Sequence, residues 1–168
     1  MSFSLLDLLL RWGHLLFALV WIGHNYANVV QHPRFQPFNG EDSPEARGAA
    51  LERRMQREHG TFRYASLVVW FTGMGMLAQR GWLADALLLR GHLAVIGMGA
   101  WIGTLMLLNL WLVLWPHQKK VLGFVPALLD ERVRCSRITF LSSRTNSILS
   151  IPLLFFMAAG SHGLALFG

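Results

Sequence analysis

Four histidines fall inside long apolar stretches of the sequence: His14, His24, His92 and His162. Burying an ionisable side chain in hydrocarbon is expensive, so each of them marks a candidate site. On a helix advancing about 100° per residue, His14, Trp21, Asn25 and Asn28 share a stripe roughly 60° wide, which should face other helices. His24 lies ~15 Å beyond His14 along the same helix and is turned by ~80°, so it belongs to a second site rather than the first. His92 is followed at helical spacing by Ile96, Gly99 and Gly103. The G-x-x-x-G pair reads either as a close helix contact or as room for a flat macrocycle. Pro152 removes a ladder bond and predicts a kink near Ser147 and Ser150, and His162 follows it.

The elements that must carry these residues are apolar. Of 168 residues 54% are hydrophobic and only 14% charged, well short of the quarter usual in soluble domains. The apolar residues gather in four segments, about 5–30, 61–78, 87–115 and 147–167, each near the ~20 residues that cross a bilayer. Backbone polar groups find no partners in lipid, so the segments must be helices. The expected fold is all-α: an integral membrane four-helix bundle forming a single transmembrane domain. The first segment carries Arg11 and His14 and lacks a cleavage site, so it is expected to stay in the mature protein.

Basic residues set the orientation. Arg34, Arg47, Arg53, Arg54 and Arg57 lie between the first two helices, and Lys119, Lys120, Arg132, Arg134, Arg137 and Arg144 between the last two. The intervening turn is flanked only by Arg80 and Arg90. The positive-inside rule then makes the two long loops cytoplasmic and both termini extracytoplasmic. The net charge of +6 suits lipid headgroups and calls for no nucleic acid. Ser43 as N-cap, Pro44 at the first helical position and Gly60 as the stop predict a cytoplasmic surface helix from Pro44 to His59.

With that orientation His14, His92 and His162 come from three helices to similar depth near the extracytoplasmic surface. Imidazole is an axial ligand of haem iron, and bundles hold cofactors between facing helices. Haem held by two of these histidines is the leading reading; another metal, a quinone pocket and plain interhelical hydrogen bonding are the alternatives. Trp21, Asn25 and Asn28 would support the ligands from behind, and His24 could serve a second haem. His32, His59 and His117 fall at cytoplasmic boundaries and read as solvated. Cys135 is the only cysteine, so there is no C-x-x-C-H attachment and any haem must be non-covalent haem b.

Three runs carry a family resemblance: Trp12–His14 with Trp21–Gln31, Trp101–Thr104 through Asn109–Trp111 to Trp115–Lys120, and Ser143–Pro152 to Phe156–His162. In them the sequence resembles the membrane-embedded N-terminal region of bacterial urate oxidase of the membrane-bound urate hydroxylase type. The resemblance implies residence in the bacterial inner membrane, urate as substrate, and electron delivery to a cytochrome c on the extracytoplasmic side. His14 and His162 match positions of the family motifs, and His24 and His92 are carried over with them. Members of that family often continue into a cytochrome c domain, which this sequence lacks, so a separate cytochrome c or a larger membrane redox complex is expected as partner. Two functions follow: a haem-b redox protein, urate hydroxylase-like if it is an enzyme, or a non-enzymatic accessory subunit of a respiratory or other membrane complex. A transporter is disfavoured because Asp7 and Asp85, at boundaries, are the only acidic residues near the apolar segments.

Overall fold

The computed structural model describes residues 5–35, 45, 46, 49 and 60–162. Among these the chain is all helical. Helix α1 spans Leu5–Gln31, α2 Thr61–Gln79 and α3 Leu83–Leu87. A 3-10 turn at Gly91–Leu93 leads into α4, Ala94–Leu108, then a π turn at Asn109–Leu114 and α5, Trp115–Val121. The last helix, α6, runs from Leu129 to Ser161. The expected surface helix from Pro44 to His59 and the final residues 163–168 lie almost wholly outside the described residues.

Two elements differ in extent from the sequence reading. The third apolar helix does not stop at Trp115 but continues through Pro116 to Val121. Proline lacks an N–H and collides with the carbonyl four residues back, and the wider π turn immediately before Pro116 makes room for it. The last helix begins at Leu129 rather than near Ser147, because its first half is amphipathic and escapes a search for apolar runs. There Cys135, Ser136, Thr139 and Ser142 are buried at helical spacing while the residues between them face outward.

The helices alternate in direction. Asp7 meets Arg80, Leu10 meets Gly75, and His24 stacks on Phe62, so α1 and α2 are antiparallel. Trp70 bonds to Thr104, and Trp111 reaches back to Ser66, so α4 runs against α2. Gly160 meets Ile96 and Asn109 bonds to Asn146, which sets α6 antiparallel to α4. Tyr26 with Ser150 and the carbonyl of His32 with Arg144 close the ring between α6 and α1. Its centre is filled by Trp21, Phe62, Ala65, Val69, Met106, Leu110, Leu114 and Leu153.

Two stretches are long and apolar enough to cross a membrane, Leu5–Gln31 and the composite helix Gly91–Val121. The outside of the ring is apolar as well: Leu9, Trp12, Leu19, Phe71, Leu105, Leu112, Ile148 and Ile151 are all exposed.

Candidate functional site

The polar stripe on α1 faces inward as its spacing requires. Trp21, Asn25 and Asn28 are buried, His14 is half-buried, and Asp7, one further heptad back, falls on the same face. Asp7 accepts from Arg11 Nε at 2.7 Å and Arg80 Nη2 at 2.9 Å, which clamps the start of α1 to the end of α2. That clamp went unread in the sequence, although Asp7 and His14 stand seven residues apart.

His14 is built into the contact between α1 and α2. Its Nδ1 lies 2.9 Å from the carbonyl oxygen of Val69 and 3.3 Å from Thr72 Oγ1. Thr72 directs its own hydroxyl to the carbonyl of Val68, 2.6 Å away. The ring can sit so close to α2 because residue 73 is glycine: a Cβ there would stand 2.9 Å from His14 Cε1. An Nδ1–H donated to a backbone carbonyl fixes the tautomer and leaves Nε2 as the basic nitrogen, the arrangement that metal-ligating histidines use.

His162 repeats that arrangement in simpler form, with Nδ1 2.8 Å from the carbonyl of Ala158 in its own helix. It is exposed at the end of α6. His92 is exposed in the 3-10 turn, its ring edge-on to Trp82 at 6.4 Å. His24 stacks flat on Phe62, with centroids 4.0 Å apart and planes within 5°. His117 folds onto its own helix, Nδ1 2.6 Å from the Val113 carbonyl.

The antiparallel contacts show what each histidine lies beside along the helices. His14 stands level with Val69–Gly73 of α2, and hence with Thr104 of α4 through the Trp70 bond. The contact of Gly160 with Ile96 brings the end of α6 to the start of α4, so His162 and His92 share an outer level. The level of Asp7 and Arg80, seven residues from His14, is ~10 Å further out along the bundle. No group of three or more His, Cys, Asp or Glu side chains suited to a metal ion occurs among the described residues.

The glycine face of α4 lies against α6: a Cβ on Gly99 would stand 3.0 Å from Met157 Cε, and one on Gly103 would meet Leu153 at 3.7 Å. Trp21 Nε1 and Asn25 Nδ2, one turn apart and buried, have no hydrogen-bond partner among the described residues. Donors in that state are rare in folded chains and ask for an acceptor.

Comparison with known proteins bears on this arrangement at one point. No curated protein and no solved structure matches the chain. The family model described as urate oxidase N-terminal matches residues 51–167, which include His92, Gly99, Gly103, His162 and all of α2 to α6, while α1 with His14 lies ahead of the match. The runs Trp101–Lys120 and Ser143–His162 that suggested this family fall within the matched residues. The match spans well over half of the sequence, and the chain belongs to the urate oxidase N-terminal family.

Proposed function

We propose that the chain is a multi-pass membrane protein of four crossing helices that binds haem b through His14 and His162 and passes electrons between a urate-class substrate and a cytochrome c partner. The observation that carries this reading is His14: a half-buried imidazole within an apolar bundle, its Nδ1 held by the Val69 carbonyl and its Nε2 left without a protein partner among the described residues. His162 has its Nδ1 engaged in the same way, whereas His92 has only a ring contact, which favours His162 as the second ligand. The two stand on helices that pack on one another, α6 meeting α1 through Ser150 with Tyr26. Bound there, haem b would supply one-electron chemistry; the chain's part is to fix ligand tautomers, exclude water and set the dielectric.

Membrane crossing by all four helices is supported by the exposed apolar girdle on α1, α2, α4 and α6, which water would not tolerate. The basic residues then place the ends of α1 and α6 nearest Leu5 and Ser161 outside the cytoplasm. The family supports urate as substrate class, and the outer position of His162 suits an extracytoplasmic electron acceptor.

The test is the visible spectrum of the protein purified in mild detergent after expression with ample haem. A Soret band extractable by acidic acetone is expected, lost or shifted in His14→Ala and His162→Ala and unchanged in His117→Ala. A band that survives His14→Ala, or a colourless wild type purified with its partners, would refute the ligand assignment and leave the accessory-subunit reading.

A further inference from the structure

At the end of the bundle away from His162 stands a buried cation that the proposed redox function does not use. Arg63, three residues into α2, is only 7% exposed. Its guanidinium carbon lies 3.4 Å from the ring centroid of Trp115, 5.0 Å from that of Tyr64 and 5.7 Å from that of Trp111. Stacking of this kind uses the flat face of the guanidinium and leaves its N–H groups pointing outward in plane. Two of them, on Nε and Nη1, are buried and have no acceptor among the described residues, and none of the ion pairs found there includes Arg63. One turn beyond Trp115, Gln118 is 1% exposed and its Oε1 is buried with no donor. A buried charge with unmatched donors is a heavy penalty for a fold to keep unless something meets it.

We infer that Arg63, stacked on Trp115 and accompanied by Gln118, is the centre of a binding site for a phosphate-class oxyanion. An oxyanion supplies the acceptors that the two N–H groups lack, and the positive end of the α2 dipole adds to the same field. A group that also carries an O–H or N–H, as a protonated phosphate or a phospholipid headgroup does, would satisfy Gln118 Oε1 as well. The exposed Tyr64 ring lies directly beside the guanidinium, so the surface is one side chain away. Lys119, whose Nζ stands 5.8 Å from the Trp115 centroid, raises the local potential toward the same ligand. Phosphate of this kind reaches the site either from the headgroup layer or from solution.

Both sources are tested on the full chain, delipidated in non-ionic detergent, by following its thermal unfolding midpoint. One arm adds phosphatidylglycerol against diacylglycerol, and the other adds inorganic phosphate against chloride at matched ionic strength. At least one phosphate-bearing probe should raise the midpoint of the wild type above its control, with apparent affinity falling about tenfold or more in Arg63→Gln. A response to the lipid alone identifies a headgroup site, and a response to inorganic phosphate alone identifies a soluble ligand. If Arg63→Gln does not fold, Arg63→Lys carries the comparison, since a lysine keeps the charge but not the planar stack, and its response should fall well below that of the wild type. No response of the wild type to either probe, or an equal response in wild type and variant, overturns the assignment. Neither result depends on whether haem is bound.

Discussion

The two ends of the bundle are held together by opposite means. Around His14 and His92 the helices approach through missing side chains: Gly73 against His14, Gly97 against the backbone of Ala86, Gly99 against Met157, and Gly160 against Ile96. Around Arg63 and Asn28 they are joined by polar groups. Asn109 Nδ2 donates to Asn146 Oδ1 at 2.8 Å and to the Ser142 carbonyl at 3.0 Å, Ser142 returns its hydroxyl to Asn109 Oδ1, and Asn146 Nδ2 reaches the Met106 carbonyl at 3.2 Å. Small residues and hydrogen-bonded polar residues are the two ways helices associate where apolar burial gives little. Here small residues prevail at one end, beside the Asp7–Arg80 pair, and amide and hydroxyl groups at the other. A glycine contact fixes distance but leaves the neighbouring imidazole's outer nitrogen uncommitted, whereas the Asn109–Ser142–Asn146 network consumes its own donors and acceptors, and the unmatched groups of its end are those of Arg63 and Gln118.

Breaking that division should have graded effects. The largest belongs to Gly97→Ala, whose Cβ would fall 1.9 Å from the Ala86 carbonyl oxygen, a backbone atom that cannot yield without displacing α3. A loss of about 3 kcal/mol or more is expected, read as failure to purify as a monodisperse species or as a collapsed thermal midpoint. Gly73→Ala comes next. Its Cβ would press on the His14 ring at 2.9 Å, at about 1–3 kcal/mol, and it should shift the Soret band without altering the phosphate response. A spectrum identical to wild type in a folded Gly73→Ala protein would detach His14 from the chromophore.

Asn146→Leu acts on the other end. It leaves the Asn109 amide with one acceptor fewer, and about 1 kcal/mol should be lost in unfolding, with the Soret band unmoved. The smallest effect concerns Cys135, buried on α6, whose thiol burial pushes up while nearby Lys120 pulls it back in part. A raised thiol is protonated, and so unreactive, to higher pH than a free one. Maleimide labelling of the folded protein at pH 8 should therefore be far slower than in dodecyl sulfate and should accelerate only at more alkaline pH. Equal rates in both states would show that α6 is open at Cys135.

Much of the glycine-built end was legible in the sequence, and much of the polar end was not. The α1 stripe and the G-x-x-x-G contact are periodic, and periodicity survives without coordinates. Arg63 reads in the sequence as one more base beside a basic loop, because nothing local says that Trp111 and Trp115, some fifty residues later, fold over it. The Asn109–Ser142–Asn146 network is equally nonlocal, and the α6 half that carries Ser142 was too polar to register as a helix crossing apolar surroundings. The recurrence of Cys135, Thr139, Ser142 and Asn146 at steps of four, three and four was the overlooked signal. The relative depth of the three histidines is nonlocal too: apolar boundaries align the ends of helices, but the register of contacts, such as the Gly160–Ile96 pair, cannot be read from boundaries.

The length of α6 has a mechanical consequence. On the four-crossing reading proposed above, its 33 residues, ~50 Å long, would exceed a hydrocarbon layer of ~30 Å by ~20 Å. That free length is braced against α5 by Lys120 with Glu131 and by Arg132 with the Val121 carbonyl. With Asn146 pinned to α4 as well, α6 is held at two places on the near side of Pro152, and Met157 and His162 lie beyond both.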